Sequence, residues 1–187
     1  MKDRRAKFLA AVVALCLTTP ASARVTGGVE MPEQVQVEGH VLQLNGASVQ
    51  RKLFFRIYCI ALYLERPTHR ADEAIGSDQM KQIRLHMMHG AGKDTVAGAL
   101  RRGFESNAPQ PLPSNLRERL EQLLGSVPDV RSGADLVITY NPGVGTAFSA
   151  NGQTRMAIPG KDFADALFSI WLGNQRNTGL KRQLLGG

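Results

Sequence analysis

Residues 51–65 read RKLFFRIYCIALYLE. Fifteen residues rich in Phe, Ile, Tyr and Leu, with no Gly or Pro, predict one long strand or two closely joined strands. A strand sends alternate side chains to opposite faces. One face then carries Leu53, Phe55, Ile57, Cys59, Ala61 and Tyr63, and the other Phe54, Arg56, Tyr58, Ile60, Leu62 and Leu64. Both rows are mostly apolar, so the sheet should be covered on both sides. One row nevertheless holds a guanidinium and a phenol, and neither can be buried without a partner. Either Arg56 reaches the edge and Tyr58 finds a backbone carbonyl, or the two form the anion-binding lip of a ligand pocket.

Upstream, Val35–Leu44 alternates as a strand and runs into Asn45-Gly46, the dipeptide favoured in two-residue hairpin turns. Residues 35–65 therefore predict an antiparallel hairpin that Pro67 ends. Downstream, Gln82–His89 reads as a strand with Ile83, Leu85 and Met87 on one face. Asp94 is a candidate N-cap for a helix whose stripe is Val96, Ala99, Leu100, Gly103 and Phe104. Ser114 can cap a second helix bearing Leu116, Leu120, Leu123 and Leu124, stopped by Gly125. Ala134–Tyr140 reads as a strand, and Thr146–Ala150 and Thr154–Ile158 flank Asn151-Gly152 as a second hairpin. A last main helix carries Phe163, Leu167, Ile170 and Trp171, with Gly173 as its stop; Thr178 can cap a short final one. Hairpins outnumber crossovers, which predicts an α+β fold with an antiparallel sheet and helices on one face. Trp171 then faces the sheet, as core or as the roof of a cavity between helix and sheet.

The first 23 residues have the layout of a cleaved export signal: Lys2, Arg4, Arg5 and Lys7, an apolar run Phe8–Leu17, then Ala21-Ser22-Ala23. The run is far shorter than the roughly 20 residues of a membrane span. The expectation is a periplasmic or secreted protein with one domain over residues 24–187. Without the leader's four basic residues and one acid, the formal charge falls from +7 to +4. That mild balance, with basic residues in pairs only, gives no support to nucleic-acid binding. Cys59 would be the single remaining cysteine, so no internal disulfide is expected. In so apolar a stretch it reads as a small buried hydrophobe.

Chemical motifs are few. His86 and His89 point to opposite faces of a strand, so no shared metal ion is expected. Gly90-Ala91-Gly92-Lys93-Asp94 lacks the first Gly and the final Ser or Thr of a phosphate loop, and no G-x-S-x-G elbow is present. No cofactor is implied.

Taken in order, LNGASVQRKLFFRIYCIALYLE (44–65), GKDTVAGALRRGFES (92–106), DLVITYNPGVGT (135–146), NGQT (151–154) and FADALFSIWLGN (163–174) resemble the chalcone isomerase-like superfamily, in particular its bacterial exported branch. The resemblance covers residues 35–187 and implies an open-faced β-sandwich: a large antiparallel sheet, helices over one face and a cleft between. The enzymes of that superfamily close a flavanone ring without a cofactor. They use an Arg to stabilise developing charge, and hydroxyl groups to order a water. Transferred by position, the Arg falls at or next to Asn45 (Arg51 would serve only if the alignment slips by several residues), the strand hydroxyl at Tyr58 or Ile57, the helix tyrosine near Thr95, and a last hydroxyl near Ile170, beside Ser169. Asn lacks the charge and fork of Arg, so the catalytic set is incomplete and the catalytic residues stay unassigned. Other members bind fatty acids in the same cleft, an Arg and a Tyr holding the carboxylate. Here Arg56 and Tyr58, about 7 Å apart on a regular strand, would take that role, with Phe54, Ile60, Leu62 and Trp171 along the tail.

The leading expectation is therefore an exported, non-catalytic protein of this fold that binds a small apolar acid such as a fatty acid. The alternatives are an isomerase acting within one phenolic or enone molecule, and an envelope interaction protein with no ligand. The candidate ligand-binding residues are Arg56, Tyr58, Asn45, Thr95 and Trp171. Oligomeric state is not legible.

Overall fold

The computed structural model describes residues 22–174 and 178–187. Most of the expected export signal, residues 1–21, lies outside them. Nine strands and five helices follow in chain order among the described residues. A small hairpin, β1 (Ala23–Thr26) and β2 (Val29–Pro32), comes first. A seven-stranded antiparallel sheet follows, with strands adjacent in space in the order of the sequence. They are β3 (Gln34–Val37), β4 (His40–Lys52), β5 (Phe55–Leu64), β6 (Lys81–Met87), β7 (Asp135–Asn141), β8 (Gly145–Ala150) and β9 (Gln153–Ile158). Helix α1 (Ala71–Gly76) lies between β5 and β6. Two more, α2 (Lys93–Asn107) and α3 (Ser114–Gly125), separate β6 from β7. The chain ends in α4 (Lys161–Leu172) and α5 (Thr178–Leu184). The α+β class is as the hydrophobic patterns predict. None of the described helices is long and apolar enough to cross a membrane.

Two apolar layers flank the sheet. On the helix side, Ile60, Leu62 and Leu64 of β5 meet Ile83, Leu85 and Met87 of β6, the buried leucines of α3, and Phe163, Leu167 and Trp171 of α4. On the other side, Cys59, Ala61 and Tyr63 pack with Met31, Leu42 and Leu44 beneath the β1–β2 hairpin. The alternation read from residues 59–64 is therefore real, and both rows are covered.

Asn45-Gly46 makes no turn. β4 runs straight through it, with a shift in pairing between Leu44 and Gly46 that marks a β-bulge. The turns on either side are Glu38-Gly39, both at positive φ, and Leu53-Phe54. Asn-Gly was chosen here by packing. A Cβ on Gly46 would stand 2.1 Å from the Gln183 carbonyl oxygen of α5, so only glycine lets that helix lie on the strand. The Asn45 amide donates to the carbonyls of Thr68 and Leu184 and accepts the Thr68 N–H. The Asn151-Gly152 turn between β8 and β9, in contrast, forms as expected. Gly92, not Asp94, precedes α2; Asp94 stands in its first turn, where a negative charge suits the helix dipole.

Candidate functional site

β5 is irregular at its beginning. Arg51 faces Arg56 across the strand pair and Gln50 faces Tyr58, so Ile57 is an extra residue, a second bulge. An inserted residue reverses the alternation of whatever precedes it. Tyr58 stays on the helix side. Arg56 is turned to the other side, where its Nη1 donates to the Gly27 carbonyl at 2.9 Å. The expected Arg56–Tyr58 lip is therefore not formed.

Tyr58 borders a cavity of about 150 Å³ between the sheet and the helices α2 and α4. Its floor is Leu85 and Met87 of β6, which pairs with β5, and Leu136 of β7, which faces Leu85 from the far side of β6. Leu100 and Trp171 close it from the helices, and Ile57, Thr95, Ala99 and Ile170 stand at its rim. The approach of α4 to α2 depends on Gly103, where a Cβ would lie 2.7 Å from Ile170 Cγ2.

One polar pair points into this apolar space. Trp171 Nε1 donates to the Tyr58 hydroxyl at 3.2 Å. Burial pushes the Tyr58 phenol above its ordinary value, and the Trp171 hydrogen bond offsets only part of that. The phenol is thus neutral at physiological pH. Its oxygen is occupied by the indole N–H, and its own proton remains to be donated. Thr95 adds an exposed hydroxyl at the mouth. No Lys or Arg lines the cavity among the described residues.

Of the five candidates, the structure brings together Tyr58, Thr95 and Trp171 and leaves Arg56 and Asn45 elsewhere. Arg56 is lost to the bulge, and Asn45 is consumed in tying β4 to α5. The expected tail residues are also redistributed: Ile60 and Leu62 are fully buried core, while Phe54 is fully out in solvent at a hairpin tip. The real wall residues Leu85 and Met87 were legible as one face of β6, but nothing local says that this face meets Tyr58. The two histidines also have separate partners: His86 contacts Asp135, and His89 contacts the Met88 carbonyl.

A family model described as chalcone isomerase-like matches residues 23–186. Among solved structures, the chain is similar to the crystal structure of a fatty-acid binding protein of Arabidopsis thaliana. The two superpose with a TM-score of 0.70 at 11% sequence identity, over 88% of this chain and 96% of that one. At that identity the likeness is one of fold. A search of curated proteins by sequence finds no match.

Proposed function

The chain belongs to the chalcone isomerase-like family, and on that footing we propose that it binds, without converting it, a small apolar molecule with one polar end, such as a fatty acid. The observation that carries the reading is the cavity itself: an apolar chamber between sheet and helices with a single neutral phenol held ready by Trp171. Tyr58 would donate its proton to the ligand's polar end, and Thr95 at the rim would add a second contact. The fold shared with a fatty-acid binding protein favours the same reading. The volume limits it. Pockets for drug-sized ligands run to roughly 300 Å³ and more, and a cavity of about 150 Å³ suits benzene-sized guests. Short acids should fit as the cavity stands, and long ones only if α2 and α4 part. Ring closure by electrostatic stabilisation wants a preorganised charge at the site, which the described lining does not present; this favours binding over isomerisation. The leader-like N-terminus adds that the protein works outside the cytoplasm, and the intact mass of protein recovered from cells would show whether residues 1–23 are removed.

Trp171 is the one tryptophan of the chain and lies in the cavity wall, so its fluorescence reports occupancy directly. Titration with straight-chain acids from hexanoic to palmitic should give a saturable change, strongest for the shorter members. Absence of any change across the series, together with no acid retained in native mass spectrometry, would sink the proposal. A chalcone added to the same protein should be bound or ignored; its conversion to a flavanone would install the isomerase reading instead.

A further inference from the structure

The β4–β5 hairpin tip breaks three rules of local stability at once. Leu53, Phe54 and Phe55 are 84%, 95% and 60% exposed, a continuous apolar tip projecting from the sheet. Leu53 adopts φ +54°, a left-handed conformation that costs a bulky residue energy and that Gly or Asn would take freely. Directly behind, Arg51 and Arg56 face each other across the strand pair with Lys52 alongside, although like charges placed opposite each other are unfavourable. Folding alone would favour a Gly-containing turn and a mixed-charge pair. Each departure becomes favourable against one kind of surface, an apolar layer lying under negative charge.

We propose that this hairpin docks the protein on an anionic lipid bilayer, Leu53, Phe54 and Phe55 entering the interfacial layer and Arg51, Lys52 and Arg56 meeting the headgroups. The arrangement matches the physics of interfacial binding, in which aromatic and aliphatic side chains supply apolar burial and Lys or Arg supply attraction to anionic lipid. Lys93 and Arg131 stand at the same end of the sheet. Of the carboxylates there, Asp135 at the start of β7 contacts Arg84 and His86, Asp129 accepts the Lys93 backbone N–H, and Asp94 sits in the first turn of α2. The cavity rim begins at Ile57, three residues from Phe54, so docking would set the cavity mouth beside the membrane. The proposal does not depend on ligand binding; the Trp171 titration tests the cavity and the experiment below tests the tip.

Flotation with vesicles of phosphatidylglycerol and phosphatidylcholine in equal parts, and of phosphatidylcholine alone, compares the wild-type chain with two variants. Both variants carry the wild-type N-terminus, so Phe8–Leu17 contributes equally to every sample. L53G/F54S relaxes the turn and removes the tip, which protects folding. It should lower partition onto the anionic vesicles by about tenfold or more, as expected for the loss of two apolar side chains. R51Q/K52Q should lower the preference for anionic over neutral vesicles several-fold and make the salt dependence shallower, since Arg56 and the leader's basic residues remain. Equal binding by wild type and L53G/F54S, or no binding by wild type, overturns the proposal. So does a concentration-dependent dimer that L53G/F54S abolishes while vesicles go unbound, because the tip would then be a contact between two copies.

Discussion

Tyr58 shows how one side chain serves two neighbours. Its oxygen accepts the Trp171 indole N–H, and its proton is left for a guest. Tyr58→Phe should therefore have two separable effects. The indole N–H loses its partner, costing about 1–3 kcal/mol of stability. Affinity for hexanoic acid should fall by about 1 kcal/mol, roughly fivefold, whereas affinity for a pure hydrocarbon such as benzene should hardly change. Trp171 fluorescence read with both ligands distinguishes a hydrogen-bond donor from a mere wall; equal losses for the two would remove Tyr58 from the polar role. Lys81 is the other residue whose state matters. It is wholly buried, donating to the carbonyls of Ala74, Ile75 and Ser77 at the end of α1 and lying 3.5 Å from Asp165. Burial lowers its ammonium to about 8, against which Asp165 pulls upward.

Among elements, α5 is held by the least forgiving contact. It rests on the bulge of β4 through Gly46 and Asn45, and Ser48 donates to Gln183 Oε1 at 2.6 Å. Gly46→Ala puts a methyl group into backbone oxygen, which no rotamer can relieve. We expect a loss of about 2–4 kcal/mol and faster hydrogen exchange concentrated in residues 178–184. Exchange that rises evenly through the molecule would mean that α5 is not the element displaced. Gly103→Ala, by comparison, meets a side chain rather than backbone: Cγ2 of the β-branched Ile170, with Cγ1 and Cβ close behind. Its cost should stay near 1 kcal/mol, because the gain in helix propensity offsets part of the crowding. Crowding Ile170 should also narrow the cavity mouth, so hexanoic acid should enter more slowly than in wild type, as stopped-flow fluorescence would show.

For the molecule as a whole, stability should respond to pH and ligand in defined directions. Between about 8 and 10.5 the unfolded chain keeps the Lys81 proton that the folded chain has released. The unfolded state then binds more protons, and stability rises with pH. The tyrosines act oppositely above pH 10. Burial raises Tyr63 to about 12 and raises Tyr140 with help from its hydrogen bond to Asp78, so the unfolded state ionises first and stability falls. Denaturant titrations of wild type and Lys81→Met should thus diverge in favour of wild type from pH 8 to 10, by at most about 3 kcal/mol. Parallel curves would show that Lys81 keeps its proton in the fold. A bound acid at a hundred times its Kd should add about 2.7 kcal/mol, seen as a raised Tm.

The amino-acid sequence by itself determined the α+β class, both apolar rows of Cys59–Leu64, the buried faces of α3 and α4, and the Asn151-Gly152 hairpin. Those features follow from periods of two and 3.6 residues and from turn chemistry, which act over a few neighbours. It also picked out Tyr58, as a phenol in an apolar row, and Trp171, as an aromatic on the sheet-facing stripe of its helix, while Thr95 came from the family resemblance. Only the tertiary structure decided that Asn45-Gly46 is a bulge under α5, that Ile57 turns Arg56 away from Tyr58, and that Leu85, Met87 and Leu136 floor the cavity. A bulge costs little locally and shifts every side chain before it to the opposite face, so its presence is settled by packing between segments as distant as residues 46 and 183. No pattern within one strand records that choice.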